Sequence, residues 1–298
     1  MTPDVVSKIV RRMLRLLPVS LQLKVDDWYS RCRARLLGPG ARAVLTTSWN
    51  GDLLVGTRDL TVGRALAFRG AYDRGKIEAL RTLLTPASDL LVVGAHVGSV
   101  LIPLARNARR AVGIEANPAT FALLEMNVRL NALANIELYH RAAGERAGVV
   151  RFLMNRHNTG GSKVVRGESA SNILFTYDRP ETVTVPCERL DDLLGDRSFD
   201  LMVMDIEGSE YFALRGMPRL LERCGALQIE ISRLSIEQAA GITPLQFLEP
   251  LRDVFDSAQT SEGGVVREFA REAFDDLLRF CMRTPDISYD VLFRKKSR

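Results

Sequence analysis

The chain has little cysteine and histidine. Its four cysteines (Cys32, Cys187, Cys224 and Cys281) are widely separated and form no CxxC pair. That spacing excludes a zinc-binding thiolate set and a disulfide framework. The three histidines, His96, His140 and His157, form no Cys/His pair for covalent catalysis, and no metal is assigned. No apolar run approaches the roughly 20 residues needed to span a bilayer. The N-terminus lacks a continuous apolar core before a small-residue cleavage site, so no secretory signal is expected. Internal repeats and low-complexity tracts are also missing. These absences leave a protein with 46% hydrophobic and 26% charged residues, ordinary values for a soluble globular chain. A reducing cytoplasm suits its cysteine usage.

The net charge of +5 is unevenly placed. Residues 1–42 hold nine Lys/Arg against three Asp/Glu, and the remainder holds 32 against 33. The basicity therefore belongs to the N-terminus. Val5, Ile9, Met13, Leu16 and Leu17 recur at helical spacing there, so residues 4–17 and 21–37 read as helices. Gly38-Pro39-Gly40 follows as a linker. Residues 1–42 are thus expected to be a basic helical extension, able to make at most a peripheral membrane contact, and 43–298 the main domain.

From Ala43 to Phe68 the pattern is short and β-like, and Asn50-Gly51 between apolar runs signals a hairpin. Residues 72–84 read as a helix. Strands are then expected at 89–93, 111–115, 136–140, 200–205 and 226–231, with helices at 98–108 and 118–131. Their continuous apolar composition suits strands covered on both faces. Such alternation implies an α/β fold with a doubly wound, mostly parallel sheet. Extra strands are expected at 149–153 and 182–187, flanking the long polar stretch 155–180. Helices at 244–254 and 267–280 and a strand at 287–293 complete the reading.

Two places carry chemistry. Gly94-Ala95-His96-Val97-Gly98 follows an apolar strand, and Glu115 lies 21 residues beyond Gly94 at the end of the next one. Glycines let the backbone turn sharply and approach a ligand. An acid at the end of the second strand suits ribose hydroxyls. The GxxxG spacing argues against a pyrophosphate, and so against a nicotinamide dinucleotide. A methyl donor without phosphate, S-adenosylmethionine, fits better. The second place is Asp200–Glu210 (DLMVMDIEGSE), where an apolar strand ends at Asp205. Strand carboxyl ends face the ligand crevice in open α/β sheets, which puts Asp205 beside the cofactor and leaves Glu207, two residues on, open between a site acid and a helix-start acid. Glu210 reads as a first-turn helix acid.

The order LLVVGAHVG, GIEANP, EMNVRLN, AAGERAG, LDDLL, DIEGSE, LRG and LQIEI resembles the FkbM family of S-adenosylmethionine-dependent methyltransferases, over about residues 52–293. The resemblance implies a Rossmann-like methyltransferase fold preceded by the helical and β-hairpin extension. It implies that Gly94, Ala95, His96 and Gly98 shape the cofactor turn, that Glu115 holds the ribose, that Asn117 and Pro118 start the next helix beside the adenosine, and that Ala142 lies near adenine. Asp205 and Glu207 match the family's DxEG acids at the methyl-transfer side, as catalytic residues, with Asp205 also touching cofactor. The implied reaction is O-methylation of a sugar, glycan or natural-product hydroxyl, with no nucleic-acid acceptor.

Three positions depart from the family pattern. Val92 stands where the first motif carries Asp, His96 where it carries Asn, and Val203 where a Lys precedes the fourth-strand acid. Val92 and Val203 motivate a rival reading, a methyltransferase-fold scaffold that has lost catalysis. An NAD-dependent oxidoreductase is the weaker rival.

Overall fold

The computed structural model describes residues 21, 28, 31–32, 35–38, 40–165, 180–284 and 287–296. The expected helix at 4–17 lies outside the described residues, whereas those described between 21 and 37 are helical. Strands β1 (Ala43–Ser48) and β2 (Gly51–Gly56) form the expected antiparallel hairpin. The next segment is not a strand. Val62–Arg64 runs as helix into the wider turn Ala65–Arg69. Val62, Ala65 and Leu66 are buried by that winding, a spacing that a strand would have sent to alternating faces.

Eight strands build the central sheet: β3 (Asp89–Val93), β4 (Arg110–Glu115), β5 (Ile136–His140), β10 (Phe199–Met204), β11 (Cys224–Ser232), β12 (Ser257–Glu262), β13 (Val265–Ala270) and β14 (Ser288–Arg294). Their order is β13-β12-β14-β11-β10-β3-β4-β5. The five from β11 to β5 are mutually parallel. The strand β14 pairs antiparallel with both β11 and β12. A four-stranded sheet of β6 (Ala142–Ala143), β7 (Gly148–Met154), β8 (Lys163–Val164) and β9 (Glu181–Glu188) stands beside it, in the order β6-β9-β7-β8. The expected helix at 267–280 is shorter. Residues up to Ala270 form β13, Arg271–Ala273 make a 3-10 turn, and the α-helix is Phe274–Met282.

Alternation within the apolar strands sets the two core layers. Leu91, Val93, Met202 and Met204 pack into one buried cluster, while Leu90, Val92, Leu201 and Val203 pack into the other. Each strand buries both faces, so periodicity-two polarity is absent. Among the described residues, no helix is long and apolar enough to cross a membrane.

Amide side chains attach the hairpin to this body. Asn127, on the helix Pro118–Leu130, accepts from Leu54 N at 2.6 Å and donates to Leu54 O at 3.0 Å and Val97 O at 2.8 Å. Asn50, wholly buried at the hairpin turn, donates to Ser99 O and Tyr72 O and accepts from Tyr72 N. These bonds satisfy backbone groups that an isolated hairpin would leave to water.

Candidate active site

The order reverses at β3, which continues to β4 on one side and meets β10 on the other. Carboxyl ends of strands at such a switch point flank a crevice. There the chain bends through Gly94 (φ +87), His96 (φ +51) and Gly98 (φ +89). Gly94 and Ala95 both donate to Ile114 O, at 2.8 and 2.9 Å. Gly94 is a steric requirement, since a Cβ there would stand 1.9 Å from Asp205 O. His96 occupies a left-handed position, where Asn and His are tolerated better than most side chains.

Glu115 lies 7% exposed at the end of β4. Its carboxylate accepts from His96 N at 2.8 Å and Asn117 N at 2.7 Å. Burial pushes its pKa up to about 7, against those backbone bonds. Asn117 caps the helix Pro118–Leu130, accepting from Ala119 N and Thr120 N, and its amide donates to Ser162 Oγ.

Across the crevice, Asp205 N donates to Val93 O at 3.0 Å, which binds the two strand ends together. Burial raises the Asp205 pKa. Glu207 adopts φ +54, and burial together with Asp205, Glu230 and Glu210 pushes it up to about 8. Glu210 opens the helix Glu210–Arg215 and folds back to accept from Ile206 N and Gly208 N. It therefore braces the loop that carries Glu207.

Gly94, His96, Glu115, Ala142, Asp205 and Glu207 line one cleft. Ala95 and Gly98 stand behind it in the core, and Asn117 is outside its lining. His140 is elsewhere, stacked on Phe121 with its Nε2 3.1 Å from Ala116 O. Among the described residues, no group of three or more His, Cys, Asp and Glu side chains is placed to hold a metal ion.

Several participants were missed from sequence. Lys76 on the helix Arg74–Arg81 acts electrostatically on Asp205, and Asp205 in turn raises the pKa of Glu230 on β11. Lys76 is held by Asp73 at 3.0 Å and Asp290 at 3.2 Å. Burial works against its charge, but Asp290 and Asp73 keep its pKa above the ordinary lysine value. Nothing local marks these residues. Lys76 comes near Asp205 through Asp290 on β14, a strand that the sheet sets two places from β10.

The acids imply a pH dependence in the ligand-free protein. Glu115, Glu207, Glu210 and Glu230 all hold protons more tightly when folded. Their contribution is best preserved below about pH 4.5, where the unfolded carboxyls are also protonated. It weakens as pH rises to about 8, because only the unfolded chain has shed its protons. Glu207→Gln is expected to flatten that fall. Urea denaturation should show the variant gaining roughly 1–3 kcal/mol over the wild type at pH 8.5 and nothing near pH 4.5. Equal slopes in the two proteins would remove Glu207 from the titrating set.

Residues 93–280 match the family model described as the Methyltransferase FkbM domain. Among solved structures, Methyltransferase FkbM from Methylobacillus flagellatus KT aligns at 17% identity and TM-score 0.40, covering 70% of this chain and 44% of that one. The chain thus spans less than half the length of that relative. An rRNA methylase from Streptococcus thermophilus aligns at 13% identity and TM-score 0.43, covering 75% of this chain and 95% of that one. The T. thermophilus 16S rRNA N2 G1207 methyltransferase, solved with AdoMet and guanosine, aligns at 15% identity and TM-score 0.39, covering 86% and 50%. No curated protein sequence matches.

Proposed function

The chain belongs to the FkbM methyltransferase family, and we propose that it transfers a methyl group from S-adenosylmethionine to a hydroxyl oxygen of a sugar, glycan or natural-product small molecule in the cytoplasm. The observation that carries this reading is the convergence of Glu115 and the paired acids Asp205 and Glu207 on one cleft at the strand-order reversal.

The residues suit that donor. Backbone at Gly94 presents no side chain to the cleft. Glu115 accepts from the backbone N–H groups of His96, Asn117 and Ala116, which leaves lone-pair capacity on its two oxygens for a ribose hydroxyl. Bound S-adenosylmethionine supplies an electrophilic methyl on a sulfonium. The protein's part is to hold the acceptor oxygen in line with that methyl, which is mostly a matter of positioning. As the oxygen forms its new bond to carbon, it must lose a proton. In its ionised form Glu207, whose pKa is raised to about 8, is a stronger base than an ordinary carboxylate and accepts that proton, while Asp205 orients the hydroxyl.

Glu115→Ala tests the cofactor assignment. It removes the proposed ribose acceptor and orphans two buried N–H groups in the turn. Calorimetry with S-adenosylhomocysteine is expected to show roughly tenfold to hundredfold weaker binding, in line with about 1.5–3 kcal/mol for hydrogen bonds to a charged group. Unchanged affinity would move the ribose elsewhere.

A further inference from the structure

Outside the region matched to the family, Asp59 reaches into the cleft wall. It follows β2, is 1% exposed, and has Oδ1 2.9 Å from Thr61 N and 3.0 Å from Thr61 Oγ1. Its Oδ2 accepts from Thr159 Oγ1 at 2.6 Å. Thr159 Oγ1 in turn lies 2.8 Å from His96 Nε2. Three distant segments meet here: the loop after the hairpin, the turn between β7 and β8, and the bend after β3. Leu60 N donates to His157 O at 2.7 Å and closes the first two against each other. The hairpin itself is pinned to the same bend through Asn50 and Ser99.

The polarity of this chain is fixed by chemistry. A carboxylate only accepts, so the single Thr159 hydroxyl proton goes to Asp59. Thr159 Oγ1 then accepts from His96, which places the imidazole proton on Nε2. The other nitrogen, Nδ1, is left as a bare acceptor. That atom is buried and has no partner, on a side chain that lines the cleft with Asp205 and Glu207. A buried acceptor without a donor costs free energy, and an N–H of a ligand in the cleft would complete its bonding.

We infer that Asp59, acting through Thr159, is a positioning residue that holds His96 Nδ1 as the hydrogen-bond acceptor for the α-ammonium of the bound methyl donor. The inference rests on the function proposed above. Among that donor's polar groups, the α-ammonium alone is both cationic and an N–H donor. An acceptor-only nitrogen in a wall shared with two acids suits it, and suits neither the donor's carboxylate nor a second cation. It gives the loop that follows the hairpin a direct part in the site.

Two measurements test this. Nitrogen-15 NMR of the ligand-free wild type should show His96 protonated at Nε2, and Thr159→Val should mix the two tautomers while Thr159→Ser restores the first. A proton on Nδ1 in the wild type would overturn the assignment. Calorimetry should then show S-adenosylhomocysteine weakened about threefold by Thr159→Val and about tenfold by His96→Ala, with Thr159→Ser at wild-type affinity. Binding of 5′-methylthioadenosine, which lacks the amino-acid end, should be unchanged in all three. Equal loss for both ligands would make the chain purely structural, and no loss for either would remove the ammonium contact. Failure of the wild type to bind S-adenosylhomocysteine at all would instead remove the methyl-donor reading and, with it, the ligand assigned to Nδ1.

Discussion

Gly94→Ala is expected to abolish cofactor binding and to lower the melting temperature by roughly 10 °C, at about 2–4 °C per kcal/mol for a chain of this class. Two effects add. Alanine at φ +87 costs about 1–2 kcal/mol in backbone conformation. Its Cβ would also stand 1.9 Å from Asp205 O, and relief of such overpacking costs roughly 1–3 kcal/mol. Relief requires β3 and β10 to part, which breaks the Asp205 N to Val93 O bond. The substitution thus strikes the bend and the end of β10 at once. Circular dichroism melting and calorimetry with S-adenosylhomocysteine check it. A variant that melts and binds like the wild type would show that the strand ends are not in contact.

The second large effect concerns the family's absent charges. Val92 and Val203 are direct register partners on β3 and β10. They are 2% and 4% exposed within one apolar cluster. The two positions at which the sequence departs from the FkbM-like pattern are therefore direct neighbours across the sheet, and both carry valine. Exchanging a buried ion pair for packed apolar groups is often neutral or stabilising. Val203→Lys alone brings an ammonium into that cluster on the side where Lys76 already takes Asp290, and is expected to cost about 3 kcal/mol. Combining it with Val92→Asp should cost at least about 1 kcal/mol less than the two singles together. Urea unfolding of the four proteins measures the coupling. Strict additivity would show that the side chains do not meet.

The parallel strands were legible because burial on both faces writes itself as uninterrupted apolar runs, such as Leu90–Val93 and Leu201–Met204. The glycine bend and Glu115 were legible because their spacing follows from one strand–helix–strand unit. Val62–Arg69 was misread as β because its apolar residues are too few to distinguish a winding segment from an extended one. Residues 267–280 were misread as one helix because β13 is an edge strand whose side chains are mostly exposed, so its pattern lacks apolar alternation. Asp59, Lys76, Thr159 and Glu230 were invisible as partners for a different reason. They are separated by tens of residues, and their partnership with the bend exists only after the sheet has ordered its strands.

The placement of β14 constrains how the chain is made. Residues 288–294 form an inner strand, wedged between β11 and β12. During vectorial synthesis, N-terminal segments emerge and fold first. Yet this sheet keeps a gap between β11 and the β12–β13 hairpin until residues near 294 leave the ribosome. Two unpaired edges stay open through that interval, so nascent chains stalled before residue 288 are the species that chaperones must guard.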